Sequence, residues 1–170
     1  MLVIDAEQIA PQPWRNRGGR TRELLTWPAG AEWKLRVSLA DIESDGPFSS
    51  FPGVQRWFAV VQGAGVVLRL ASGRQAVRAG DAPLSFDGAQ APDCALIDGP
   101  TRDLNLMHRG GRGVMRPVQR GEWWRDKYDQ RGLFTLCAGY WHEEGGRDVA
   151  PTSGRRVSAH TLLWDLGDRP

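Results

Sequence analysis

The sequence predicts an all-β fold, a sandwich or barrel of short strands, on three observations. Its 21 Gly and 11 Pro recur every few residues and cut the chain into short segments. Inside those segments apolar and polar residues alternate with the period of two that a half-buried strand requires. Nowhere does an apolar stripe of period 3.6 run between an N-terminal and a C-terminal cap, as an amphipathic helix demands.

Taken in order, Arg22 to Trp27 reads as a first strand. Trp33-Lys34-Leu35-Arg36-Val37-Ser38-Leu39 alternates cleanly, with Trp33, Leu35, Val37 and Leu39 on one face and Lys34, Arg36 and Ser38 on the other. Arg56 to Gln62 and Val66 to Ala71 are expected to pair as a hairpin across Gly63-Ala64-Gly65, where glycine supplies the positive φ of a tight turn. Further strands are expected at Gln75 to Arg78, Pro83 to Phe86, Cys94 to Ile97 and Arg102 to His108. The glycine- and arginine-rich stretch from Gly110 to Arg120 reads as a link or bend. Glu122 to Gln130 has room for one or two helical turns. Leu133 to Ala138 and Arg156 to Asp165 read as strands on either side of a turn-rich Glu143 to Gly154.

With 170 residues and 41% hydrophobic composition the chain can bury a genuine core. The expected organisation is one compact unit over 1–170, with sub-barrels at about 1–110 and 111–170. The net charge of +2 arises from 22 basic and 20 acidic residues spread along the chain. With no block of like charge there is no footprint for nucleic acid or an anionic membrane. The N-terminus meets Asp5 before any signal core forms, and no apolar run approaches the ~20 residues that span a bilayer. Two cysteines without CxxC spacing, Cys94 and Cys137, read as reduced thiols of a cytosolic protein.

The three histidines, His108, His142 and His160, occur in no HxH, HxxxH or HExxH arrangement, so no metal is expected. There is no GxSxG elbow and no activated cysteine context, which disfavours nucleophilic catalysis. What remains is polar chemistry on strands. In Arg102 to Met107, Asp103, Asn105 and Met107 share one face and Leu104 and Leu106 the other; the polar face looks either into a barrel cavity or into solvent. Trp14 to Glu23 concentrates four Arg with Asn16, Thr21 and the pair Gly18-Gly19, which is either an anion-binding nest or simply a turn. The eight Trp are spread over both halves and suit packing better than a stacking platform.

In order, Pro13–Leu24, Trp33–Ile42, Gly46–Gly65, Leu84–Gly88 and Asp103–Met107 resemble the HutD/Ves family of small cupin-like proteins. The resemblance covers roughly Trp14 to Arg109. It implies a compact all-β bicupin with a cupin-like jelly-roll barrel, a cytoplasmic bacterial protein, and a role in sensing or limiting histidine utilisation through a small bound metabolite. By position, Asn16, Gly19, Thr21, Arg36, Ser38, Ser49, Phe51, Arg56, Phe86, Asp103 and Asn105 match the recurrent motif residues and are expected at the mouth of a ligand cavity. Where metal-binding cupins carry HxH and a following Glu, this chain has Phe48-Ser49-Ser50-Phe51 and then Arg56. A hydroxyl, two rings and a cation there favour an anionic organic molecule over a metal or other cofactor. The chain departs from the pattern at Arg17, which stands where glycine is common, and at Ala89 and Gly110.

The first reading is therefore a binding protein for a small carboxylate-bearing metabolite, such as urocanate or a formyl- or formimino-glutamate. The alternative is a metal-independent cupin enzyme, an isomerase or hydrolase, using Asp103 or His108 as acid or base. A third reading is an interaction module docking through exposed Trp. Self-association into a homo-oligomer is left open by the sequence.

Overall fold

The computed structural model describes residues 4–118, 130–136 and 159–165. Its strands are β1 (Gln12–Pro13), β2 (Gly19–Trp27), β3 (Leu35–Ile42), β4 (Gly46–Pro47), β5 (Gln55–Gln62), β6 (Val66–Leu70), β7 (Gly73–Val77), β8 (Leu84–Asp87), β9 (Asp93–Leu96), β10 (Thr101–His108), β11 (Arg112–Val118), β12 (Gln130–Thr135) and β13 (Ala159–Asp165). They form a six-stranded sheet of order β1-β2-β3-β10-β5-β8, a four-stranded sheet β4-β9-β6-β7 and a three-stranded sheet β11-β13-β12. Every pairing is antiparallel. The six- and four-stranded sheets remain separate ladders that face each other.

Strand alternation explains how the core divides. Along β5, Phe58 and Val60 point towards the four-stranded sheet and join Val66, Leu68, Val77 and Cys94 in one apolar cluster. Ala59 points the other way and joins Leu35, Val37, Leu104, Leu106 and Met115 in a second cluster on the outer face, beneath Phe134 of β12. The six-stranded sheet is thus covered on both faces, which is why β10 and β3 are buried almost without interruption.

Two expectations fail here. β5 and β6 do not pair as a hairpin: β5 lies between β10 and β8, and β6 between β9 and β7. Both strands carry apolar residues that must meet across the core, so the chain crosses from one sheet to the other at Gly63–Gly65 instead of folding back. Gly63 at φ +94° and Gly65 at φ +107° make the corner, and a Cβ on Gly65 would lie 2.3 Å from the Val77 carbonyl oxygen. The hairpin partner of β6 is β7, with Leu70 opposite Gly73. The second failure is Gly110 to Arg120, expected as a link. After the turn Arg109–Gly111 it becomes β11, whose Met115 is fully buried on the outer face.

The remaining strand expectations hold to within a few residues, except that β2 begins earlier, at Gly19, and that β1 and β4 carry no periodic signal. The helical turns expected at Glu122 to Gln130 lie outside the described residues except for Gln130, which begins β12, and the expected turn over 143–154 lies outside them entirely. Arg17, the departure from the family's glycine, has φ +59°. A left-handed backbone costs an L-residue about 1–2 kcal/mol, part of which glycine returns as unfolded-state entropy. Arg17→Gly is therefore expected to stabilise the protein by up to ~1 kcal/mol in urea unfolding; a loss of stability would show that the Arg17 side chain makes a compensating contact.

Candidate functional site

The site is built on the inner face of the six-stranded sheet. Met107 of β10 lies opposite Arg36 of β3 on one side and Arg56 of β5 on the other, and Arg56 lies opposite Phe86 of β8. One rung further, Ser38, Asn105 and Phe58 align; the next holds Ala40, Asp103 and Val60. The antiparallel register thus gathers polar residues far apart in the chain onto one buried patch.

Arg56 dominates it. The residue is only 5% exposed, yet its guanidinium carries a charge. Its Nη2 donates to Asn105 Oδ1 at 2.8 Å, and Asn105 Nδ2 in turn donates to Asp103 Oδ2. The guanidinium carbon lies 4.9, 5.2 and 5.9 Å from the ring centres of Phe48, Phe86 and Phe51, so three aromatic faces surround the cation. Its Nε is buried and has no hydrogen-bond partner. An orphaned charged donor in a low-dielectric site is costly and is ready to be satisfied by an acceptor.

The electrostatics follow from burial. Desolvation lowers Arg56 to about 10, against the opposing attraction of Asp103, so the guanidinium remains charged at neutral pH. Asp103 is 1% exposed, and desolvation pushes its carboxyl up to about 7 despite Arg56 and Asn105 favouring the charged form. Burial likewise pushes the Cys94 thiol up to about 12, which leaves it an inert packing residue. At the edge of the patch Arg36 is half-buried; its Nε donates to Glu23 Oε2 at 2.9 Å and its Nη1 lies 3.8 Å from Met107 Sδ.

Seven of the expected residues are thus brought to one region: Arg36, Ser38, Phe51, Arg56, Phe86, Asp103 and Asn105. The other four have local duties. Asn16 is exposed and its Oδ1 accepts from the Gly18 amide. Gly19 permits a close approach, since a Cβ there would lie 2.3 Å from the Asp41 carbonyl oxygen. Thr21 Oγ1 accepts from Trp14 Nε1 at 2.7 Å, and Trp14 packs edge-on against Phe48 at 6.4 Å. Thr21 therefore holds the wall behind the cage, whereas Ser49 is exposed. Phe48, one of the two rings read beside Ser49, and Met107, which shares the face of Asp103 and Asn105, also reach the patch. Sequence reasoning did not nominate Glu23, whose signal is register: it is recognisable only once the strand pairing is known.

His108 is on the opposite face of β10 from Asp103, because five residues along a strand reverse the direction of the side chain. It therefore cannot share a site with Asp103. It lines an open depression of about 430 Å³ with Gln55, Trp57, Ser85 and Asp87, separated from the arginine patch by the sheet itself. Its Nδ1 faces the Gly110 carbonyl at 3.0 Å, and its ring packs on Gly113. His108 Nε2 is likewise buried without a hydrogen-bond partner, and Arg112 joins Asp87 in lining the depression. The arginine patch is the better binding candidate because it holds a buried full charge among three aromatic rings.

A second charged cluster has a structural role. Asp41 accepts from Arg22 Nη1 at 2.7 Å and from Arg102 Nε at 2.5 Å, while Arg102 Nη1 also donates to Glu7 at 2.9 Å. Burial alone would raise the Asp41 carboxyl, but the two guanidiniums together outweigh it and hold it below its usual range. This ties the N-terminal segment to β2, β3 and β10. Among the described residues no three His, Cys, Asp or Glu side chains cluster as metal ligands do, and no helix is long and apolar enough to cross a membrane.

A sequence model of the HutD family matches residues 6–140. The chain belongs to the HutD family. An uncharacterised 21.2 kDa protein in the hutC 3' region of Pseudomonas putida is 37% identical over 118 residues, 64% of this chain and 58% of that protein. Protein Ves of Citrobacter koseri is 32% identical over 114 residues, 66% of this chain and 60% of that one. The match thus spans under two thirds of either curated relative. Among solved structures, a conserved protein of unknown function from Pseudomonas aeruginosa has a TM-score of 0.80 at 25% identity, covering 95% of this chain and 91% of that one. HutD from Pseudomonas fluorescens, in a formate condition, has a TM-score of 0.70 at 28% identity, with 98% of both chains covered. The HutD-family fold seen here is all-β and cupin-like, as the sequence led us to expect.

Proposed function

We propose that this HutD-family protein binds a small carboxylate-bearing metabolite at the Arg56 patch and thereby senses or regulates histidine utilisation. The observation that carries the reading is the Arg56 guanidinium: buried, charged, enclosed by Phe48, Phe51 and Phe86, and left with an unpartnered Nε. A ligand carboxylate supplies the missing acceptor and charge, and the rings cover its apolar part. Support for the pathway comes from the name of the Pseudomonas putida relative, which places it beside hutC, and from the similarity to HutD of Pseudomonas fluorescens. The site requires no metal or other cofactor for this task.

Thermal unfolding with urocanate and N-formylglutamate is the direct test. A ligand at 100 times its Kd adds about 2.7 kcal/mol to stability, and this gain is expected to disappear in Arg56→Met. No shift with any small carboxylate up to millimolar concentration would sink the proposal.

One observation favours a second reading, a metal-independent isomerase or hydrolase. A buried carboxyl at about 7, such as Asp103, is suited to proton transfer near neutral pH. In that case chelator-treated protein turns over a small polar metabolite, and Asp103→Asn abolishes turnover while retaining binding. His108, on the other face of β10, plays no part in it.

A further inference from the structure

The depression on the outer face of the six-stranded sheet is assembled by register, as the arginine patch is on the inner one. His108 of β10 lies opposite Gln55 of β5, which lies opposite Asp87 of β8; two residues further along β5, Trp57 lies opposite Ser85. These five side chains share one face and line the hollow together with Arg112 at the start of β11. The hydrogen bonds already made fix what each group has left to offer. Gln55 Nε2 donates to Ser85 Oγ at 2.7 Å, which leaves the Gln55 carbonyl oxygen to accept and the Ser85 proton to be given. Asp87 Oδ1 accepts the Ala89 amide at 2.8 Å, and Oδ2 remains for a second donor. His108 Nδ1 carries the ring proton, because the Gly110 carbonyl at 3.0 Å can only accept; Nε2 of the neutral ring is then an acceptor, buried and without a partner. Trp57 Nε1 is spent on the Gly113 carbonyl at 2.9 Å, so the indole offers only its apolar ring.

We propose that this depression is a second ligand site, for an uncharged polyhydroxylated molecule of monosaccharide size. It does not depend on what the Arg56 patch binds. Three features select that class. Acceptors prevail on the wall, so the ligand must bring several donors, and hydroxyls bring them while still accepting from Ser85. Asp87 and Arg112, of opposite sign, both line the hollow, so an anion meets one like charge and a cation the other. The Trp57 ring gives an apolar surface for the C–H face of a sugar, in a space of about 430 Å³ that lies within the range of small-molecule sites. His108 acts here as a positioning residue: its Nδ1 proton holds the Gly110 carbonyl, and with it the turn of Gly110 and Gly111, at φ +63° and +60°, that borders the hollow.

NMR titration of the full chain with D-glucose, D-galactose and D-mannose tests this. At least one of the three is expected to bind saturably with a millimolar Kd, and its 2-amino sugar and its uronate are expected to bind more weakly. Asp87→Asn, which keeps the acceptor for the Ala89 amide, and Gln55→Leu are each expected to weaken the sugar about fivefold or more, the value of one hydrogen bond to a charged or amide group. Saturation with urocanate leaves the sugar affinity unchanged, because the sheet separates the two sites. No binding of any of the three up to about 50 mM, or binding that neither variant weakens, overturns the site. Tighter binding of the amino sugar or the uronate overturns the neutral class, and competition with urocanate overturns a separate site. None of these outcomes bears on carboxylate binding at Arg56, which the thermal test decides. Unchanged urea unfolding of the two variants separates a lost contact from a lost fold.

Discussion

Arg56→Ala is expected to cost about 3–5 kcal/mol of stability at pH 8, the range found when one member of a buried charged cluster is removed. The loss has three sources. Asn105 Oδ1 loses its donor, and the space between Phe48 and Phe86 is emptied. Asp103 also loses the larger of the two interactions that oppose its desolvation, with only the Asn105 hydrogen bond left, so its carboxyl rises further above about 7. At pH 5, where Asp103 is already protonated in the fold, that third component is absent and the loss is smaller. Arg56→Met keeps most of the volume among the rings and is expected to lose less than half as much. Urea unfolding of the three proteins at pH 5 and pH 8 measures all of this. An Ala variant as stable as wild type at pH 8 would mean that the aromatic cage and Asn105 contribute nothing through the guanidinium.

Asp103→Asn is expected to change the pH dependence of stability in a direction opposite to the usual carboxylate. In the fold its carboxyl is raised from 3.8 to about 7, and burial is the largest cause. Between those values the unfolded chain has released the proton and the folded protein still holds it. The slope of unfolding free energy with pH is therefore negative there: the contribution is complete below about pH 4 and lost as pH rises to 7, in total about 4 kcal/mol. Asn keeps an acceptor for Asn105 and has no proton to lose. Relative to wild type, Asp103→Asn should gain stability steadily from pH 4 to pH 7 and level off above. A difference independent of pH would show that Asp103 is ionised in the fold at every pH tested. The same variant, freed of a competing anion, should bind carboxylates at pH 8 at least as well as wild type if the protein is a receptor.

Much of the fold could be read from the chain because alternation is a local property. Trp33 to Leu39 and Arg102 to His108 announce strands through period two alone, and glycines at 63 and 65 announce a reversal. What alternation lacks is the identity of the neighbour. The tight glycine corner after β5 is equally consistent with a hairpin and with a crossing between sheets, and burial of Phe58 against Leu68 decided for the crossing. Arginine content similarly disguised β11 as a link, since only its pairing with β13 and the burial of Met115 show that it is a strand.

The candidate site was legible to the same extent. Arg56, Asn105 and Asp103 could be nominated from their residue types and the family pattern, but not joined into a chain of hydrogen bonds. Ser38 shares its parity with Lys34, a residue that favours water, yet β3 lies inside the sheet and Ser38 is buried. Asn16 and Ser49 carried the right chemistry and ended on the surface. Glu23 was passed over because a charged residue on a strand ordinarily faces water; its contact with Arg36 exists only through the β2–β3 register, which shifts between Glu23 and Leu25.

The amino-acid sequence by itself determined that the chain forms short strands with enough apolar content to bury a core, and that its strand-borne chemistry is guanidinium, carboxamide and carboxyl. Each of these depends on side-chain type and spacing along the backbone. Tertiary structure alone decided which strands became neighbours, and with them the burial of Arg56, the raised carboxyl of Asp103 and the placing of Arg36 beside Met107. The physical reason is that desolvation and charge coupling depend on distance through space, which strand register sets and sequence separation does not.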